Sequence, residues 1–206
     1  MRTLRYVIVD VFTSNALEGN PLAVFTGGEG VDDATMQALA RETNLSETTF
    51  IQRATEGGTA RLRIFTPAAE IPFAGHPVLG SAWLIARSTP IADVGFETGM
   101  GLIPVAIERD GGTLVGARMR QPDPLIGPAD VDADELGRAI GVPLVGEPVR
   151  AANGIAHLLC PVADVAAARP DYQALERYGV ETVYLEAPPV GDELRTRMFS
   201  PLDGVF

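Results

Sequence analysis

Cysteine and histidine are nearly absent from the 206 residues: there is one cysteine, Cys160, and two histidines, His76 and His157. A lone cysteine excludes an internal disulfide and any cysteine-rich zinc site, and two imidazoles are too few for a His-based metal centre. Basic residues are also scarce, 16 against 27 acidic ones, for a net charge of -11. Such a chain repels a phosphate backbone, and no Lys/Arg cluster offsets the repulsion, so nucleic acid is not an expected partner. No apolar run approaches the roughly 20 residues of a membrane span. The opening MRTLRYVIVDVF does not read as an export signal, because its apolar run is short, Asp10 interrupts it and no small-residue cleavage site follows. The expected location is cytoplasmic, with no membrane partner.

What is present is an apolar content of 46%, enough to bury a real core in one large domain or two small ones. An internal repeat favours two. A shift of 134 positions sets Arg61, Arg63, Phe65 and Pro67 on Arg195, Arg197, Phe199 and Pro201. The same shift sets Glu47 and Thr48 on Glu181 and Thr182, followed by Phe50 on Tyr184 and Ile51 on Leu185. One offset explains two separate blocks, so a helix and the strands after it read as duplicated together.

The coarse pattern agrees with duplication. Leu4 to Phe12 and Pro21 to Phe25 are β-rich runs separated by the turn-prone TSNALEGN. Asp32 or Asp33 can cap a helix carrying Met36, Leu39 and Ala40 and ending near Asn44. Strands follow at Glu47 to Gln52 and Ala60 to Phe65, the latter with Leu62 and Ile64 on one face and Arg61 and Arg63 on the other. Pro77 suits the first position of a helix running to about Arg87, apolar almost all round and therefore wrapped by other elements. Further strands are expected at Leu102 to Glu108 and Leu114 to Met119. After them QPDPLIGP reads as a linker. Beyond it come a helix near Asp132 to Ile140, strands at Pro148 to Ala152 and Ala156 to Pro161, a helix near Asp171 to Tyr178, and strands at Thr182 to Leu185 and Thr196 to Phe199.

This order predicts an α+β protein of two pseudo-symmetric domains, each an antiparallel, barrel-like sheet around a central α-helix. The expected boundaries are 1–120, a linker over 121–128, and 129–206. The counterpart of Gly75 and His76 would fall past Phe206. The second domain is therefore expected to be incomplete in this chain, with a longer native product or another fragment completing it.

FAGHPVLGSA carries the most chemistry. Gly75 allows close backbone approach, His76 falls at or just before a helix N-terminus, and a Pro77 start leaves the N–H groups of Val78 and Leu79 pointing outward. Such an end attracts a carboxylate or phosphate, and an imidazole there can add a hydrogen bond or pass a proton. The alternative is that His76 only caps the helix. Glu47, beside Ser46 in NLSETTF, has apolar neighbours whose desolvation raises a carboxyl pKa and suits it to proton transfer. Its alternative is a solvated surface group. Asn20 in EGNPLAVF reads either as a polar ligand group or as a turn residue, and Asp10 either fixes a turn or faces a cleft. His157 and Cys160 lie in the apolar run AHLLCPV and read as packing residues.

DVFTSNALEGNPLAVF, NLSETTF, RIFTPAAEIPFAGHPVLGSA and MFSPLDG closely resemble the PhzF-like phenazine-biosynthesis family, whose fold is shared with diaminopimelate epimerase. The resemblance spans nearly the whole chain. It implies an isomerase with its site between two domains, working as a homodimer without metal or organic cofactor on a small carboxylate substrate. It further implies that Glu47 is the acid/base, that His76 and Gly75 bind and polarise the substrate, and that Ser46 contributes a hydrogen bond. Such a family chain continues after MFSPLDGVF with EDPATGSA, which this sequence does not contain. Related epimerases use two cysteines, but Ala74 stands roughly where the first would fall and Cys160 lies elsewhere, which disfavours two-thiol racemisation. Three readings stay open: a cofactor-independent isomerase, an epimerase or racemase using carboxylates, and a non-catalytic ligand-binding protein on the same fold.

Overall fold

A computed structural model describes residues 3–121, 123–153 and 155–201. The chain divides after Gln121 into two compact units.

In the first unit the elements are β1 (Tyr6–Val11), β2 (Asn20–Phe25), α1 (Asp33–Thr43), β3 (Thr48–Gln52), β4 (Ala60–Phe65), β5 (Glu70–Ile71), α2 (Gly75–Ser88), β6 (Asp93–Thr98), β7 (Gly101–Asp110) and β8 (Thr113–Met119). They form one sheet in the order β1-β2-β3-β4-β6-β7-β8, with β5 added beside β4. The sheet is mixed where antiparallel strands were expected: β2 and β3 run parallel, as do β4 and β6. Each parallel pair is joined by a helical crossover, α1 in the first case and α2 in the second, the connection that parallel neighbours require. Strand β6 was not anticipated, because DVGFET mixes charge and glycine with only two large apolar residues.

The sheet curls around α2, which packs on β1, β2, β3, β6, β7 and β8. That wrapping explains a helix with Val78, Ala82, Leu84 and Ala86 all buried. At Gly80 an added Cβ would stand 2.8 Å from Leu22 Cδ2 and Val11 Cγ2, so the missing side chain lets α2 approach β1 and β2 closely. On the other face of the sheet α1 covers Phe25, Phe50 and Phe65, with Phe25 and Phe50 stacked at 4.7 Å. Arg63 grips Glu70 with two hydrogen bonds, at 2.8 and 2.6 Å, and reaches Asp33 at the start of α1 at 2.6 Å.

Glu97 holds the loop between β3 and β4. Its carboxylate accepts the N–H groups of Thr55 at 2.8 Å, Glu56 at 2.6 Å and Gly58 at 2.9 Å. These bonds, that from Thr55 foremost, hold its pKa below the ordinary carboxyl value. A depressed carboxyl pKa contributes stability at neutral pH that is lost as the pH falls through the folded value. Glu97→Gln is therefore expected to lower Tm at pH 7, with the gap to wild type closing below about pH 4.5 in a pH series of thermal melts.

The second unit comprises β9 (Leu125–Pro128), α3 (Ala133–Ile140), β10 (Val149–Ala152), β11 (Ala156–Pro161), a 3-10 turn (Val165–Ala167), α4 (Tyr172–Glu176), β12 (Thr182–Glu186) and β13 (Thr196–Phe199). Its sheet runs β13-β12-β11-β10-β9. Part of the expected linker is thus a strand: β9 pairs with β10, with Pro124 just ahead of it and Pro128 at its end. Leu136, Ile140, Leu158, Leu175, Val183, Leu185 and Phe199 form the core under α3 and α4. Asp132 and Asp171 cap the two helices by accepting the N–H groups of Glu135 and Ala174.

The repeat is visible in the pairing. In both β1-β2-β3-β4 and β10-β11-β12-β13 the contacts run antiparallel, parallel, antiparallel, with a helix between the parallel strands. The 134-residue shift superposes β3 on β12 end to end. The register of the last pair differs by one residue, Thr48 facing Phe65 in the first unit and Val183 facing Phe199 in the second.

Candidate active site

Glu47 and His76, 29 residues apart in sequence, meet at 3.5 Å between Oε2 and Nε2, with side chains 18% and 8% exposed. Local rules bring each there. Helix α1 ends when Asn44 enters the left-handed region at φ 50 and returns its N–H to Ala40, which releases Leu45, Ser46 and Glu47 as the lead into β3. His76 is the second residue of α2, whose N-cap is Ala74 in extended backbone with no capping side chain. The helix starts two residues earlier than the proline suggested, because no N–H in the first turn needs an intrahelical acceptor and proline is tolerated throughout it.

That shift corrects one expected ligand. The Val78 N–H does not point outward; it bonds the Ala74 carbonyl at 3.4 Å, and its side chain is fully buried. The donors ahead of the first intrahelical bond are those of Gly75 and His76. Ser46 adjoins Glu47 and is half-buried. Asn20 opens β2 and is exposed, at the same end of the parallel β2–β3 pair as Glu47.

Burial pulls the His76 pKa down to about 4, so its imidazole is neutral at physiological pH. Two polar atoms here, His76 Nε2 and Ser46 Oγ, are buried without a hydrogen-bond partner among the described residues. Buried polar groups are usually satisfied, and those left over mark where a substrate's own polar groups can bind. A partly exposed carboxylate, a neutral imidazole and a helix N-terminus together can hold an anionic substrate and move a proton on it.

The other titratable side chains divide differently. Cys160 is fully buried, and burial pushes its thiol up to about 12, so it is a packing residue. His157, also read as packing, proves half-buried and polar in its contacts. Its ring bonds Thr182 Oγ1 through Nδ1 and Asn153 Oδ1 at 3.1 Å through Nε2, and it packs edge-on against Tyr184. The repeat gave no signal for this, since the counterpart of His157 is Ala23 and the hydroxyl of Thr48, the counterpart of Thr182, bonds Thr43. Asp10 fixes a turn: its Oδ2 accepts the Leu17 N–H at 2.8 Å. A cavity of about 760 Å³ opens where β1 and β8 flank α2, lined by Val9, Trp83 and Val115 among others, and takes in neither Glu47 nor His76. Among the described residues no group of three or more His, Cys, Asp or Glu side chains is placed to hold a metal ion, and no helix is long and apolar enough to cross a membrane.

The sequence model of the phenazine biosynthesis-like protein family matches residues 9–206. The chain belongs to that family. It is 42% identical over 205 residues to the trans-2,3-dihydro-3-hydroxyanthranilate isomerase of Pseudomonas aeruginosa, an alignment covering 98% of this chain and 73% of that enzyme. Among solved structures, one described as a predicted epimerase from Pseudomonas aeruginosa is 32% identical with a TM-score of 0.77, covering 89% of this chain and 70% of the other. A PhzF-family phenazine biosynthesis protein of Bacillus anthracis gives a TM-score of 0.80 at 24% identity, covering 97% and 73%, and supports the fold. The chain is thus a PhzF-like isomerase on an epimerase-type α+β fold.

Proposed function

We propose that this isomerase moves a proton on a small, cyclic carboxylate of the dihydro-hydroxyanthranilate kind, without metal or organic cofactor. Glu47 takes the proton from one carbon and returns it to another. His76, neutral, and Ser46 bind the substrate's polar groups, the N–H groups of Gly75 and His76 receive its carboxylate, and Asn20 adds a polar contact from the end of β2. The observation that carries this reading is the 3.5 Å approach of Glu47 to a buried imidazole whose Nε2 has no hydrogen-bond partner among the described residues. The carboxylate stands beside the imidazole, whose Nε2 is left with capacity for a substrate.

The test is turnover of trans-2,3-dihydro-3-hydroxyanthranilate in D2O, followed by NMR. One deuteron delivered to a new ring carbon, with no inverted substrate recovered, supports the proposal. Inversion at a stereocentre with deuterium there would establish an epimerase instead, and neither conversion nor exchange would favour a ligand-binding role. A two-thiol epimerase is already disfavoured by Ala74 at the cap of α2 and by the buried thiol of Cys160. We further infer a cytoplasmic homodimer of two-domain chains, with the expected linker 121–128 reduced to the residues ahead of β9. Sedimentation velocity at micromolar concentration checks the dimer.

A further inference from the structure

Two hydroxyl links stand directly behind the candidate pair. Thr48 and Thr49, the residues that follow Glu47, are fully buried, where an unbonded hydroxyl is costly. Thr48 Oγ1 lies 2.8 Å from the hydroxyl of Thr43, the last residue of α1, and Thr43 Oγ1 lies 3.1 Å from the Ala40 carbonyl. Thr49 Oγ1 lies 3.0 Å from Ser81 Oγ in α2 and 3.4 Å from the Ala23 carbonyl in β2. The protons can be assigned without conflict: Thr49 donates to Ala23, and Ser81 donates to Thr49.

Stability alone does not account for the Thr49–Ser81 pair. Replacing both partners of a buried hydrogen bond by apolar groups of similar shape is often near neutral, so valine and alanine would fill the same space. What the hydroxyls add is direction. Leu79 of α2 and Ile51 of β3 pack against one apolar cluster, and apolar packing tolerates small slides. A slide matters here because Glu47 is two residues from Thr49 and His76 is five from Ser81. At 3.5 Å the carboxylate and imidazole are already just beyond hydrogen-bond reach.

We propose that the Thr49–Ser81 hydrogen bond is a positioning device: it pins β3 to α2 and thereby sets the placement of Glu47 against His76. The proposal rests on the reading of those two residues as the reacting pair. It makes Thr49 and Ser81 positioning residues, acting through Glu47 and His76 and not on the substrate.

The experiment compares Thr49→Val, Ser81→Ala and the double variant, with trans-2,3-dihydro-3-hydroxyanthranilate as the probe. Each single variant is expected to lose about tenfold in kcat with KM changed less than about twofold, since a small misplacement acts on chemistry more than on binding. The double variant should be no slower than either single, because one link is removed in all three. Thr49→Ser, which keeps the hydroxyl, should retain kcat. A second readout does not depend on turnover: with only two histidines, the imidazole 15N spectrum is simple, and His157→Gln identifies the other ring. The His76 resonances should move in Thr49→Val and Ser81→Ala and stay in Thr49→Ser. Unchanged kcat together with unmoved His76 resonances in the double variant overturns the proposal. If Thr49→Val fails to fold, Ser81→Ala carries the same comparison. Activity in Glu47→Gln would sink the underlying reading, whereas an inactive Glu47→Gln beside a fully active double variant sinks only the positioning role.

Discussion

Replacing Glu47 by glutamine is expected to lower kcat by about a thousandfold, the range for losing a general acid/base and equivalent to roughly 4 kcal/mol of barrier. Glutamine has the same length and shape, but it cannot take a proton from carbon. KM should therefore change little, since the substrate's polar groups are bound by His76, Ser46 and the N–H groups at the start of α2. Interactions made only in the transition state show this signature, with kcat and kcat/KM falling together. A thermal melt beside the kinetics separates loss of chemistry from loss of fold, since the Glu47 side chain is only 18% exposed. Deuterium incorporation from solvent should be lost in the same proportion as turnover. A Glu47→Gln protein that keeps a tenth or more of wild-type kcat would show that another group moves the proton. Glu47→Asp tests geometry against chemistry. It retains the carboxylate but draws it back by one methylene, and intermediate activity is the expected outcome.

Much of this site was legible before any coordinates. The 134-residue echo anticipated that Glu47 and Glu181 open equivalent strands, and β3 and β12 superpose end to end under that shift. The all-round apolar character of PVLGSAWLIAR anticipated a wrapped helix, and six strands surround α2. The details that failed are those decided by partners remote in sequence. Whether neighbouring strands run parallel depends on crossover connections and not on residue alternation, so the parallel β2–β3 and β4–β6 pairs were missed. Proline marked the first turn of α2 correctly but not the first residue, and a two-residue error moved the outward donors from Gly75 and His76 to Val78. The hydroxyls of Thr49 and Ser81 gave no local signal, because threonine in a strand and serine in a helix are each ordinary. Their meaning lies in a 3.0 Å contact across 32 residues.

Acidification from about pH 6.5 to about pH 4 is expected to cost the folded protein roughly 3 kcal/mol through His76 alone. The sign follows from burial. The folded state holds the imidazole at about 4 because desolvation penalises the cation, whereas the unfolded chain titrates near 6.5. Between those values the unfolded state binds more protons, so stability is complete above pH 6.5, declines as the pH falls, and levels off below about pH 4. His157 contributes in the same direction, since burial also lowers its pKa, although Glu181 opposes that shift. Glu97 enters only below its ordinary carboxyl value of 4.5. The His76 share is therefore isolated by difference. Urea unfolding of wild type and His76→Gln across pH 7.5 to 4 should give curves that converge as the pH falls, because the variant lacks the titrating ring. Parallel curves would mean that His76 is solvated enough to protonate in the folded state. The same low pKa leaves the imidazole neutral through the working range, so it cannot be the source of an acidic limb in kcat/KM near pH 6. It then stands 3.5 Å from Glu47 as a neighbour of fixed, zero charge, and the carboxylate's proton exchange with the substrate proceeds beside a neutral ring.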